Sequence, residues 1–282
     1  MLLAGTLATL CQAEPIQQRL ANGLVANADY HREPGNKAVL VLHGFLATHH
    51  FPTIHSIAEE LRDGGYTVLA PTLTLGVNNR GTSMPCSALH LHTMEDTVQE
   101  LSWWVNWLAA QGHTDISLIG HSAGSVQVLA YSLKQPHPAV RRQILTSLVS
   151  LERLPGAEPE GASEAQARQW LAAGDKHIAK YDVSFCHGNF TSPADVFLSY
   201  HEWDQQRISD ALQETRLPTA VIMGGEDQRF TGTAWMPRLQ HSAPRLIVLP
   251  GANHFFNGMA EFPLLESIVT ELQREPPAVS RN

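Results

Sequence analysis

Basic residues are in short supply in this chain. Lys and Arg number 19 against 27 Asp and Glu, a formal charge of −8 with histidine neutral. A phosphate backbone is held by clustered Lys and Arg, so a nucleic-acid partner is not expected. Arg141-Arg142 is an isolated pair. Cysteine is equally sparse, three in 282 residues, too few for a scaffold stapled by disulfides. No apolar run approaches the length of about 20 residues needed to cross a bilayer, and there is no internal repeat. What remains is ordinary globular composition: 43% hydrophobic, 16% charged, with 20 Gly and 17 Pro. That is enough for one large α/β domain with a full core, or at most two small ones.

The first residues stand apart. The run at 2–10 is short and apolar, passes through Cys11-Gln12-Ala13, and turns polar at Glu14-Pro15. This is the pattern of a secretory leader's apolar region and small-residue cleavage site, without the basic start. A frayed first helix is the alternative. A leader implies a periplasmic or secreted protein; without one the location is cytoplasmic. In an oxidising compartment Cys86 and Cys186 can pair if the fold brings them together; otherwise they are two free thiols.

Apolar periodicity alternates between short runs and amphipathic stretches. Residues 18–30 read as a hairpin about Asn22-Gly23. Runs at 38–42, 66–71, 116–120, 143–151, 219–224 and 246–249 read as strands buried on both faces. Helical spacing fills 54–61, 95–110, 126–133 and 263–272. This alternation predicts a mostly parallel sheet covered on both faces. The connection at 152–217 is too long for a simple crossover. It carries helical spacing at 163–173, 194–200 and 205–215 and reads as a helical cap inserted into the sheet. The division is then 1–13 leader, 14–151 and 218–274 the two parts of the core, 152–217 the insertion, and 275–282 a loose tail. The polar loop at 72–92 is placed at the site entrance.

Gly120-His121-Ser122-Ala123-Gly124 joins an apolar strand to a helix. A G-x-S-x-G turn there lifts the serine hydroxyl above the sheet edge. A serine hydroxyl is a weak nucleophile and needs a general base, itself oriented by a carboxylate. In chain order Ser, acid, His, the acid follows a strand at Gly224-Gly225-Glu226-Asp227, and the histidine follows the last strand at Gly251-Ala252-Asn253-His254. Ser122 is assigned as nucleophile, His254 as base, and Asp227 as the orienting acid in preference to Glu226. Backbone N–H groups for a developing oxyanion are assigned to Ala123 and, after the early strand, to Phe45 in His43-Gly44-Phe45.

These motifs, in this order and at strand ends, resemble the α/β-hydrolase superfamily over about residues 37–272. The resemblance implies an eight-stranded, mostly parallel sheet, a Ser-Asp-His triad and no cofactor. The expected reaction is hydrolysis of a small carboxylic ester through an acyl-enzyme. Thioester or amide cleavage and acyl transfer share the same triad, and a non-catalytic binding protein keeping the fold is the rival of a different class.

Other residues carry weaker signals. His43, His121, Phe190, Tyr200 and Trp203 are candidates for substrate contact. His49-His50 and His90-Leu91-His92 are spaced as metal ligands, but no cysteine or carboxylate completes a set in the linear sequence, and they read as loop and pocket-rim residues. Trp103, Trp104 and Trp107 share a helix face and read as core. Arg80 and Arg229 fit either an acidic substrate group or, as the blander reading, solvated charge.

Overall fold

The computed structural model describes residues 14–134, 136–152, 160–230 and 232–275. The expected leader at 1–13 and all but the first residue of the expected tail lie outside them. In chain order the first half contains β1 (Glu14–Arg19), β2 (Val25–His31), β3 (Lys37–Leu42), α1 (Pro52–Asp63), β4 (Thr67–Thr72), α2 (Met94–Ala110), β5 (Asp115–His121), α3 (Ala123–Leu133) and β6 (Val140–Thr146). The second half contains α4 (Glu164–Ala172), β7 (Ile178–Val183), β8 (Cys186–Pro193), α5 (Ala194–His201), α6 (Gln205–Glu214), β9 (Thr219–Gly224), α7 (Trp235–Ser242), β10 (Leu246–Leu249) and α8 (Glu261–Gln273).

Eight strands form one sheet in the order β1-β2-β4-β3-β5-β6-β9-β10. The β1–β2 and β2–β4 pairings are antiparallel and the rest are parallel. The two-residue period of a strand explains how continuous apolar runs serve two faces. Leu40 and Leu42 pack into one core with Trp104, Leu108 and Leu129. Val39 and Val41 pack into the other with Ile54, Ile57 and Ile268. Local chemistry sets helix starts. Pro52 opens α1, where a missing N–H costs nothing. In α2 the Thr93 hydroxyl accepts from Asp96 N (3.1 Å) and the Asp96 carboxylate accepts from Thr93 N (2.8 Å). Trp104 is fully buried, with Trp103 and Trp107 packed at the edge of the same core.

Three sequence expectations need correction. The strand predicted over 143–151 ends at Thr146, where Ser147 takes a φ of 46° and turns the chain out of the sheet. Leu148, Val149 and Leu151 stay buried, so the apolar run conceals the turn. The insertion is not purely helical, because β7 and β8 form a two-stranded antiparallel hairpin within it. α6, assigned by spacing to the insertion, packs instead on α3 and α7, in the layer covering the sheet.

The insertion is fastened to the loop that follows β4. Cys86 and Cys186 are disulfide-bonded, with Cα atoms 5.5 Å apart, so the fold settles the choice left open above. His90 stacks flat on Phe190 with ring centroids 4.3 Å apart, and its main-chain N–H donates to Thr191 O (2.8 Å). His92 Nδ1 is hydrogen-bonded to Tyr200 Oη (2.5 Å). Both histidines, expected at a pocket rim, are buried seats for the insertion; each packs its ring while one ring nitrogen is hydrogen-bonded, His90 Nε2 to Cys86 O (3.1 Å) and His92 Nδ1 to Tyr200. Arg80 is not solvated either. Only 4% exposed, it donates to the carbonyls of Leu73, Thr82 and Ala47 and ties this loop to the turn after β3. Burial lowers its pKa to about 10, still protonated at neutral pH.

The disulfide closes a loop with a sequence separation of 100. Its removal by Cys86→Ser is expected to cost about 2–5 kcal/mol of unfolding free energy, read from chemical denaturation of wild type and variant without reductant. Alkylation mapping of the denatured, unreduced protein should leave Cys86 and Cys186 unmodified.

Candidate active site

Ser122 sits between β5 and α3 with φ 57° and ψ −124°, in the left-handed region that costs a non-glycine residue energy. Its neighbours hold it there. Ser122 N donates to Thr146 O (2.9 Å), and the Ser125 hydroxyl bridges Gly120 O (2.8 Å) and Thr146 O (2.9 Å). The turn is also packed to contact. A Cβ on Gly120 would lie 2.4 Å from Gly124 O, and one on Gly124 would lie 2.4 Å from His43 O. Glycine is therefore required at both positions by space. The loop after β3 presses on the same turn, with the would-be Cβ of Gly44 3.2 Å from Ser122 Cβ.

Two further strand ends deliver the partners. Beyond β9, Asp227 N donates to Gly224 O (3.4 Å); beyond β10, His254 O accepts from the Ser147 hydroxyl (2.6 Å). His254 Nε2 lies 2.9 Å from Ser122 Oγ, and its Nδ1 lies 2.7 Å from Asp227 Oδ2. All three side chains are buried, whereas Glu226 is exposed. The second Asp227 oxygen accepts from Arg229 N (3.1 Å). Carboxylate, imidazole and hydroxyl thus form one continuous hydrogen-bond chain from residues far apart in sequence.

A cavity of about 440 Å³ opens on Ser122. Phe45, Leu46, Phe51, Met84, Phe185 and Phe255 give it a largely apolar wall, and Arg229 is its charged residue. Of the sequence candidates, His121 lines the cavity. Its Nδ1 is hydrogen-bonded to Thr146 Oγ1 (3.0 Å), and complete burial holds its pKa well below the ordinary value. His43 does not line it. His43 Nδ1 donates to Gly44 O (2.8 Å), while Nε2 accepts from Leu73 N (3.1 Å). Burial and the Arg80 charge lower its pKa to about 3, so it is a neutral brace between two loops. Phe190 and Tyr200 are buried behind Phe45, with ring centroids 5.8 Å from it. Trp203 packs at the core's edge beneath the Arg207 guanidinium. These aromatic rings join the insertion to the body instead of meeting a ligand.

Sequence reasoning missed Phe51, Met84, Phe185 and Phe255, and left Arg229 open between a substrate contact and solvated charge; the cavity lining includes it. Phe255 adjoins His254 and Arg229 lies two residues past Asp227, so proximity to the motifs was the available signal. As for metal ligands, β2 supplies the carboxylate that linear spacing did not offer. Donor atoms of Asp29, His49 and His50 lie within 4.8 Å of one another, and none of the three is among the residues lining the Ser122 cavity. His49 is held by Thr72 Oγ1 (2.5 Å) on its other nitrogen.

A family model described as "Alpha/beta hydrolase family" matches residues 39–263. The chain belongs to this family. No curated protein matches it in sequence. Its fold is similar to that of Est1E from Butyrivibrio proteoclasticus (15% identity, 93% of this chain and 100% of the other, TM-score 0.60). It is likewise similar to a monoacylglycerol lipase from Paleococcus ferrophilus (15%, 88% and 98%, TM-score 0.63) and a thioesterase domain from the curacin biosynthetic pathway (16%, 92% and 99%, TM-score 0.62). At such identities the likeness is one of fold. Membership in this hydrolase family accounts for the sheet order, and hydrolysis of a small molecule is the activity it supports.

The electrostatics of His254 set a pH expectation. Burial lowers its pKa below the ordinary 6.5. The Asp227 hydrogen bond works in the opposite direction, and the Arg229 charge lowers it further. A base must be neutral to accept a proton, so a lowered pKa keeps His254 competent at and above pH 6.5. If it is the base, the acid limb of kcat/KM should be centred below pH 6.5, with the rate rising to a plateau toward pH 8. A pH–rate profile on a neutral ester checks this; an acid limb centred above 6.5 contradicts it.

Proposed function

We propose that the protein is a serine hydrolase cleaving carboxylic esters through an acyl-enzyme, with Ser122, His254 and Asp227 as its triad. The observation that carries this reading is the unbroken hydrogen-bond chain Asp227–His254–Ser122 at the floor of the cavity. With Nδ1–H donating to Asp227, Nε2 presents a lone pair to the serine hydroxyl, the tautomer a general base requires. His254 takes the proton of Ser122 as Oγ bonds to the ester carbonyl carbon. As the tetrahedral species collapses, the C–O bond breaks and His254 passes that proton to the departing alkoxide. Water, activated by the same imidazole, then releases the acid.

The carbonyl oxygen becomes an anion in each half-reaction. Phe45 N and Ala123 N are the donors proposed for it. Both residues are buried, neither N–H has a protein acceptor among the described residues, and Gly44 is packed against Ser122. Ala123 is also the first residue of α3, where N–H groups are unsatisfied and the helix dipole favours negative charge. One such donor is worth about 2.7–4 kcal/mol to the barrier. The apolar wall suits an acyl chain or aromatic group. The paired cysteines support an oxidising compartment, periplasmic or secreted.

Ser122→Ala should lower kcat by about a millionfold, and Asp227→Asn by about ten-thousandfold through the wrong imidazole tautomer. Turnover of p-nitrophenyl esters of graded chain length, with fluorophosphonate labelling of the serine, measures both. Near-normal activity in Ser122→Ala sinks the proposal. Labelling of Ser122 without turnover of any ester moves the assignment to thioesters, amides or acyl transfer.

A further inference from the structure

Among the described residues the cavity has one charged side chain, Arg229, and it is in an unusual place. Arg229 Nη1 donates to His254 Nε2 at 2.8 Å, the same nitrogen that lies 2.9 Å from Ser122 Oγ. A neutral imidazole has one lone pair, and it is on the nitrogen without the hydrogen. Since Nδ1–H is committed to Asp227, guanidinium and serine hydroxyl compete for one acceptor. The guanidinium also opposes catalysis by charge. An imidazolium must form when Ser122 gives up its proton, and a cation in hydrogen-bond contact disfavours it.

The guanidinium is poorly compensated where it stands. Asp227 is the nearest carboxylate in the chain, yet one of its oxygens is held by His254 and the other by the main-chain N–H of Arg229. No ion pair to Arg229 occurs among the described residues; the charged contact of Asp227 is to His254. What holds the side chain is the His254 contact and the face of Phe255, 5.4 Å from the guanidinium carbon. A half-buried cation on an apolar wall, with one of its five N–H groups on a protein acceptor among the described residues, is arranged to receive an anion.

We propose that Arg229 is a specificity-determining residue: it binds a carboxylate carried by the substrate, and in doing so leaves His254 Nε2 to Ser122. This deepens the ester-hydrolase reading above and rests on it. The substrate is then an ester with one free carboxylate within reach of the scissile carbonyl, on either its acyl or its alcohol part. A planar carboxylate matches the guanidinium fork, and a charge-assisted bidentate pair is stronger than a bond to a neutral imidazole. The anion supplies the missing counter-charge, frees the lone pair and offsets the positive charge that develops on His254. A neutral ester does none of this and reacts with the base still occupied.

The test compares matched esters with wild type, Arg229→Gln and Arg229→Lys. For the acyl arm the pair is mono-4-nitrophenyl adipate and 4-nitrophenyl hexanoate. For the alcohol arm it is 4-(hexanoyloxy)benzoate and phenyl hexanoate. Wild type should favour the charged ester in one arm by about tenfold or more in kcat/KM, the scale of a charged hydrogen bond. Arg229→Gln should invert the two responses, losing about tenfold to a hundredfold on the charged ester while gaining on the neutral one. A merely structural arginine would lower both together. Arg229→Lys, lacking the planar fork, should fall between. A charged-to-neutral ratio near one in both arms of wild type, or one that Arg229→Gln leaves unmoved, overturns the proposal. Should Arg229→Gln fail to fold, the wild-type ratios alone decide. Fluorophosphonate labelling of wild type separates the two levels: no labelling at Ser122 overturns the serine-hydrolase reading itself. Labelling with unmoved ratios overturns only the role of Arg229.

Discussion

The close approach of three backbone segments around Ser122 is the constraint on which the site depends. β5 must turn into α3 with a serine in a left-handed conformation, and the loop after β3 must pass within contact of that turn. The arrangement fits only because Gly120 and Gly124 present no Cβ to the carbonyls beside them. Strain at one residue is tolerated because the surroundings over-determine it. Ser122 N and the Ser125 hydroxyl both bond to the end of β6, and the parallel register of β3, β5 and β6 brings their C-terminal ends to one edge. The same edge receives Asp227 from beyond β9 and His254 from beyond β10, adjacent strands in parallel register. Sheet order thus turns distance along the chain into contact at one place, where open α/β sheets bind their ligands.

The insertion is built differently and answers to a different demand. Among the described residues it has little sheet of its own, a single hairpin, and it buries Phe190 and Tyr200 against the body while Phe185 stays exposed at the cavity. Phe45 is the junction, since its ring meets Phe185, Phe190 and Tyr200 at 5.7–5.8 Å while its main chain borders Ser122. The disulfide, the His90–Phe190 stack and the His92–Tyr200 hydrogen bond fix the same hairpin and helix to the loop after β4. Movement of the insertion would therefore be felt at Phe45, whose N–H is one of the proposed oxyanion donors. Cavity shape and chemistry are coupled through one phenylalanine.

Charge is sparse at the centre, and that gives each ionic group weight. Burial keeps His43 and His121 neutral and Arg80 is spent on backbone carbonyls, so the field at the cavity is set by Asp227, His254 and Arg229. In such a site the placement of one guanidinium decides how readily the histidine can carry a proton.

Local rules account for much of what was legible. Strands buried on two faces announce themselves as apolar runs, and the elbow needs glycines at fixed spacing whatever surrounds it, so the sheet, the position of Ser122 and the chain order of its partners could be read directly. The end of β6 could not, because its last residues and the buried turn after it are equally apolar. The β7–β8 hairpin was hidden because its strands mix polar residues with Gly188 and lack clean alternation. Pairing of Cys86 with Cys186 and the loss of Phe190, Tyr200 and Trp203 from the cavity wall depend on which way a side chain points after packing. So does Arg229, which the linear sequence leaves open between a contact to an acidic substrate group and solvated charge. The sequence by itself determined the architecture and its reactive motifs, since these follow from periodicity and turn sterics within a few residues. Only the tertiary structure decided which groups touch, because hydrogen bonds reach about 3 Å and nothing in linear order encodes separations that small between residues a hundred positions apart.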